Sequence, residues 1–368
     1  MIGGERQVTL REQQILSWIE ENPMISQEEL ARRAGIARSS VAVHVSNLMK
    51  KGLIAGRGYV LKDPAYVAVV GGVNVDIGGK SFRKPILQDS NPGRVRISLG
   101  GVGRNIAHNM SLLGLDVRFL TALGDDAHAR AIMASCRELG IDISHARRIP
   151  DAATSSYLFI SDEKGNMELA VVDMEICEQI TPEYLAANLT LLNHARLVVA
   201  DTNIPEASLV YLAEHCEAPL FADPVSVTKA EKLRSVLGKV DTLKPNRLEA
   251  ELLTGLAVRD EASSLRAAEA LLRSGVRHVF LTLGEKGVLA ADGSGHVLVP
   301  CSPAQACSAT GAGDAFMAAL VWARLQGFGL EESARAAAAA AAVAVEGEET
   351  VNPALSEEGL RQRILQNQ

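Results

Sequence analysis

From Tyr66 onward the chain alternates short, apolar, β-prone runs with longer stretches of helical spacing, and this alternation limits the fold more than any other feature. The runs cover 67–70, 117–120, 197–200, 220–222, 279–283 and 287–291. Each is apolar nearly throughout, the pattern of strands buried on both faces. Strands of that kind joined through helices imply an α/β class, an αβα sandwich around a mostly parallel central sheet. Three other stretches, 94–98, 155–161 and 168–172, alternate side chains and flank turns such as Glu163-Lys164-Gly165-Asn166. They are expected as antiparallel strands outside the main sheet. They would form a small β lid around 78–99 and 154–173, over the strand ends where this architecture keeps small ligands.

A chain of 368 residues with 47% hydrophobic and 22% charged content can fill one large or two ordinary cores, which excludes disorder as its main state. No run approaches the roughly 18–20 apolar residues that span a bilayer, since Arg335 interrupts the longest alanine stretch. The N-terminus lacks a basic-then-apolar leader, so the cytoplasm is the expected location and no membrane partner is expected. Five cysteines form no Cys-x-x-Cys pair and read as reduced thiols, and the histidines show no metal-ligand spacing.

Charge is unevenly spread. Residues 1–62 carry 9 Lys/Arg against 6 Asp/Glu, while the whole chain has a formal charge of −7. A basic front on an acidic body suits a small module that meets a polyanion. Within it, Ile15, Leu16 and Ile19 follow helical spacing up to Pro23, and Ser26 with Glu29 forms a capping box for a second helix. A turn at Gly35-Ile36 leads to a third helix with Val41, Val45 and Leu48 on one face. The runs 52–54 and 58–61 then read as a hairpin. The order resembles the winged helix-turn-helix domains of bacterial transcription regulators. That resemblance implies contact with duplex DNA through Arg38, Ser39, Ser40, His44 and Asn47 in the major groove, with Lys50, Lys51 and Arg57 near phosphates. A module used only for dimerisation or packing is the alternative. Asp63-Pro64 ends it, and residues 63–368 form the second domain.

Near the C-terminus, Thr310-Gly311-Ala312-Gly313-Asp314 places a small-residue loop at the start of a helical pattern. Such a loop lets backbone N–H groups approach an anion, and the helix adds its positive end. A carboxylate at an anion site is unfavourable unless it takes a proton from an attacking hydroxyl, which makes Asp314 the candidate base. On its own the motif reads better as a helix cap and tight turn. Together with Gly100-Gly101-Val102-Gly103-Arg104-Asn105, however, it resembles the two signatures of the ribokinase-like (PfkB) carbohydrate and nucleoside kinases, over about residues 66–355.

The resemblance implies a ribokinase-like fold and a phosphotransferase that uses ATP and Mg²⁺. It makes Asp314 the catalytic base and the amides of Gly311, Ala312 and Gly313 the anion hole. Asn74, Asp76, Gly100, Gly101, Arg104 and Asn105 would hold the sugar. Asn246, Thr282, Gly284, Gly287, Thr310 and Asn352 would meet the nucleotide, and Glu249 would organise the metal. Many members also bind K⁺ beside the anion hole, where their usual Asp is Ser308 in this chain. A homodimer is expected.

Longer segments, among them Asp89-Ser90-Asn91-Pro92-Gly93, Ala222-Asp223-Pro224-Val225-Ser226 and the stretch from Lys244 through Glu251, resemble the pseudouridine kinase branch. The implied acceptor is the 5′-hydroxyl of pseudouridine, whose C-linked base keeps an N1–H donor that uridine lacks. Ser90, Asn91 and Arg104 are candidates to read the base. Another nucleoside or sugar, or a ligand-sensing regulator with a kinase fold, are the alternatives.

Overall fold

The computed structural model describes residues 8–54, 66–302, 304 and 310–366. The chain separates into two units, Met1–Ala65 and Tyr66–Gln368.

In the first unit, Thr9 and Glu12 close a reciprocal capping box at the start of the helix Leu10–Glu21. The helices Gln27–Ala34 and Arg38–Lys50 follow, joined through Gly35 in left-handed backbone at φ 62°. Ile15, Ile19, Leu30, Val41, Val45 and Leu48 are buried as the spacing predicts. Ser26 accepts from the Glu29 amide, but the expected box is only half built, because the Glu29 carboxylate pairs with Arg32 and Arg33 instead. Arg38, Ser39, Ser40 and Lys50 are exposed, whereas His44 and Asn47 are half-buried.

Lys51, from the expected phosphate set, is engaged within the unit: its Nζ lies 2.6 Å from Oε2 of Glu12, which is 1% exposed, and the pair ties the first helix to the end of the third. Hydrogen bonds from Lys51 and Thr9 push the Glu12 carboxyl down to about 2. Of the expected hairpin, Gly52 to Ile54 is described, and the remainder, including Arg57, lies outside the described residues.

The second unit is built on an eight-stranded sheet. Its strands are β1 (Tyr66–Val70), β2 (Asn74–Ser81), β3 (Gly93–Gly100), β4 (Asp116–Leu120), β5 (Ala122–Leu123), β6 (Arg147–Arg148), β7 (Ser156–Ser161) and β8 (Met167–Asp173), then β9 (Val198–Asp201), β10 (Leu220–Asp223), β11 (Thr242–Leu243), β12 (His278–Thr282), β13 (Val288–Asp292) and β14 (Gly295–Val299). The main sheet runs β14-β13-β12-β11-β10-β9-β1-β4, and every pair from β12 to β4 is parallel. All five residues of β1 are buried, because Val67 and Val69 face one helical layer while Ala68 and Val70 face the other. This is the expected αβα sandwich around a mostly parallel sheet.

The edge departs from the parallel expectation. β13 pairs with both β12 and β14 in antiparallel fashion. The connection over 283–287 is too short for a parallel crossover, so the chain turns back on itself. The separate four-stranded sheet, ordered β3-β2-β7-β8, occupies the segments expected for the lid. Its outer pairs are antiparallel, but β2 and β7 pair in parallel, and β2 already begins at Asn74.

Replacing Lys51 with Ala would strand a buried carboxylate. We expect it to weaken the first unit by on the order of 3 kcal/mol, read as faster amide hydrogen exchange in Leu10–Glu21. Lys50→Ala should leave that exchange unchanged.

Candidate active site

Parallel strands carry the ends of their side-chain ladders to one edge of the sheet. Here that edge is acidic: Asp201 ends β9, Asp223 ends β10, and the two are opposite one another in register. Lys244 follows β11, and Thr282 ends β12. Asp201 is 1% exposed and accepts from the amides of Gly72 and Asn203, both at 2.9 Å. Even so, burial pushes its carboxyl up to about 6. Asp223 pairs with Lys244, Oδ2 to Nζ at 3.2 Å, and accepts from the Val225 amide at 2.9 Å. Val225 is held at φ 62°, a left-handed backbone that disfavours a β-branched residue, at a cost on the order of 1–3 kcal/mol. The strained turn is fixed from behind by Thr202, whose hydroxyl donates to the Pro224 carbonyl at 2.6 Å.

The glycine loop meets this edge. Gly311 caps the helix Ala312–Leu325 at φ 84°, and a Cβ there would strike the Thr350 carbonyl oxygen, so the close turn requires glycine. A Cβ at Gly313 would come within 3.3 Å of Lys244 Nζ. Asp314, in the first turn, is 9% exposed and accepts from Asn105 Nδ2 at 3.0 Å. Burial, then repulsion from Asp223, pushes its carboxyl up to about 7 against the opposing bond from Asn105 and the charge of Lys244. The other amide atom of Asn105, Oδ1, is buried without a partner.

The sugar set is largely gathered. Asn74 donates to Asp76 on β2, and burial raises the Asp76 carboxyl. Gly100 ends β3 directly against the Asp76 carboxylate, and Gly101 begins the helix Val102–Leu112 that carries Asn105. Arg104 is 5% exposed and donates to the Leu99 carbonyl at 2.9 Å and Ser135 Oγ at 3.1 Å, which ties it to the scaffold, while its Nε is buried without a partner. The amide of Asn91 closes its own turn on the Ile86 backbone.

The nucleotide set is brought together around β12. Asn246 bridges to Thr282, whose amide donates to the Pro245 carbonyl at 2.9 Å, and Gly284 to Gly287 form the tight turn that follows. Asn246 and Glu249 form a reciprocal capping box on the helix Arg247–Thr254, with bonds of 2.8 and 3.0 Å. Burial raises the Glu249 carboxyl, and one of its oxygens remains outside the box. Thr310 is exposed beside the loop. Asn352 corrects its expected role: it donates to the Val343 carbonyl at 2.7 Å and accepts from the Ala354 amide at 3.0 Å, which makes it a brace for the turn. Ser308 lies outside the described residues.

Sequence reading left Asp201, Asp223 and Lys244 without roles. The available signal was a charged residue ending an apolar β run, as in Val-Val-Ala-Asp and Leu-Phe-Ala-Asp.

The model of the pfkB family carbohydrate kinases matches residues 64–357, and that of the winged helix-turn-helix DNA-binding domain matches 10–55. The chain belongs to the PfkB family of carbohydrate kinases. It is 39% identical over 350 residues to the uncharacterized sugar kinase YeiI of Escherichia coli, covering 94% of this chain and 96% of that one. It is 37% identical over 299 residues to the pseudouridine kinase of the same species, covering 80% and 95%. A carbohydrate kinase structure from Agrobacterium tumefaciens superposes with a TM-score of 0.72 at 30% identity, covering 82% and 97%. The PfkB chain is therefore a sugar or nucleoside phosphotransferase with a winged helix-turn-helix module, of a kinase family that uses ATP, typically with Mg²⁺. Among the described residues, no helix is long and apolar enough to cross a membrane.

Asp314 burial has a thermodynamic consequence. The folded carboxyl keeps its proton up to about 7, while the unfolded one releases it near 3.8. Ionisation therefore favours the unfolded chain, and the native state loses stability as pH rises between those values. Thermal melts of Asp314→Asn and the parent should separate over that window, with the variant the more stable above it.

Proposed function

We propose that this kinase transfers the γ-phosphoryl group of ATP to the 5′-hydroxyl of a nucleoside, with pseudouridine as its acceptor. The observation that carries the reading is Asp314: a buried carboxylate poised near neutrality, fixed by Asn105, in the first turn behind the Gly311-Ala312-Gly313 amides. The 37% identity to a pseudouridine kinase over nearly all of that protein supports the acceptor.

In this reading Asp76 and Asn74 hold the sugar hydroxyls, and Asn105 offers its unpartnered Oδ1 to the sugar while its Nδ2 orients Asp314. The 5′-hydroxyl oxygen attacks the γ-phosphorus in line, and its proton passes to Asp314. The bond between phosphorus and the β,γ-bridging oxygen breaks, and ADP leaves with that electron pair. The loop amides stabilise the charge on the transferring group. The donor set fits Mg²⁺. Glu249 offers one hard carboxylate oxygen, and no group of three His, Cys, Asp or Glu among the described residues could cage a metal. Such a site suits an ion that keeps waters and phosphate oxygens, and when bound it would neutralise triphosphate charge.

A pocket acceptor for the N1–H of pseudouridine would be left unpaired by uridine, a penalty of about 1–3 kcal/mol. In a panel of pseudouridine, uridine, inosine and ribose with MgATP, kcat/KM should be highest for pseudouridine, and equal values for ribose would defeat the nucleoside reading. Asp314→Asn should lower kcat by roughly 10²–10⁴-fold. Since the base must be ionised, parental kcat/KM should rise with pH to a plateau above about 7.

The N-terminal unit supports a second role on the same chain, binding of duplex DNA through exposed Arg38, Ser39, Ser40 and Lys50. Its affinity should fall as salt rises, because phosphate contacts release counterions. A salt-independent affinity, or none at low salt, would remove DNA from the proposal.

A further inference from the structure

Lys244 takes no part in the steps above, yet it lies where they meet. It is 6% exposed, its Nζ is 3.2 Å from Asp223, and it lies 3.3 Å from where a Gly313 side chain would begin. Burial alone would lower its pKa. The surrounding carboxylates, Asp223 first and then Glu249 and Asp314, reverse that and raise it, so the ammonium stays charged. An ammonium has three donors, and a single partner at Asp223 leaves capacity for others. A pair serving the fold alone has no need to sit against the loop where the phosphoryl group is to be held, nor to be presented by the strained turn at Val225.

We propose that Lys244 is a further catalytic residue: held by Asp223 beside Gly313, its ammonium donates to a non-bridging oxygen of the γ-phosphoryl group as it passes from ADP to the acceptor. This rests on the phosphotransfer reading above. The lysine keeps its proton throughout. The O–P bond to the acceptor forms, the bond to the β,γ-bridging oxygen breaks, and the hydroxyl proton still goes to Asp314. The ammonium adds to the charge stabilisation supplied by the loop amides, and the bare backbone at Gly313 leaves it room, since a Cβ there would lie 3.3 Å from Nζ.

The test is a mutant cycle in the full chain with MgATP and the best acceptor of the panel: Lys244→Met, Asp223→Asn and the pair together. Thermal melts check folding, and the double variant, which buries no charge at either position, keeps the question open to measurement should Lys244→Met not fold. Both variants lacking the lysine should lose about a hundredfold or more in kcat, with KM for ATP changing by less than about tenfold. Asp223→Asn alone, which retains the ammonium, should lose at least about tenfold less than either. The proposal is overturned if the double variant returns to within about tenfold of the parent, since the lysine would then only neutralise Asp223. It is equally overturned if Asp223→Asn alone costs as much as removing the lysine. A parent that phosphorylates no alcohol at all would instead defeat the phosphotransfer reading, so the two failures are distinguishable.

Discussion

Parallel pairing sets Asp201 beside Asp223 at the ends of adjacent strands, and most of the site follows from that juxtaposition. Like charges directly opposite in a sheet repel, and both residues are nearly inaccessible to water. The fold answers with local partners. Asp201 takes two backbone amides, and Asp223 takes Lys244 from the end of the next strand. Asp314 is buried beside these carboxylates, and burial first, then Asp223, raises its proton affinity although it starts a helix.

Magnitudes decide that contest. A helix N-terminus stabilises a carboxylate by typically 0.3–1 kcal/mol near the surface. The rise of Asp314 from 3.8 to about 7 corresponds to about 4 kcal/mol in the opposite direction. Burial and Asp223 therefore outweigh the helix, with Asn105 and Lys244 bringing the group back only part of the way. A residue placed merely to cap the helix would sit in solvent, where the dipole wins. In the proposed reaction, that burial readies the group to take a proton near neutrality.

Much of this was legible in the chain because it is written in short segments. The apolar runs located β1, β4, β9, β10, β12 and β13, and Gly311 to Asp314 with Asn105 marked residues that the fold does bring together. Side-chain partners across the fold were not legible. Lys51 reads as a surface cation until Glu12, from another helix, is set against it. Arg104 and Asn352 match their motif positions, but they also bond to Leu99, Ser135 and Val343, contacts made only once those segments pack. The strand β11 holds two residues, too few for any periodicity, and it is the strand that delivers Lys244. The antiparallel edge was hidden because an apolar run carries no direction.

The course of the backbone also joins the two halves of the reaction. Asp76 lies on β2 of the small sheet, whereas Asp314 belongs to a helix packed on the main one. Between them the chain passes from β3 through Gly100 and Gly101 into the helix that presents Asn105 to Asp314. Arg104, one residue earlier, fastens the end of β3 to the helix Ala127–Glu138 and acts on Asp76 through its charge. Adjacent residues of one helical turn thus serve two parts of the site: Arg104 steadies β3, the partner of the strand that carries Asp76, and Asn105 donates to Asp314. Two side chains that share a turn of helix cannot move independently. In the proposed reaction, sugar recognition and proton transfer are coupled by that covalent adjacency, without any need for a longer path through the molecule.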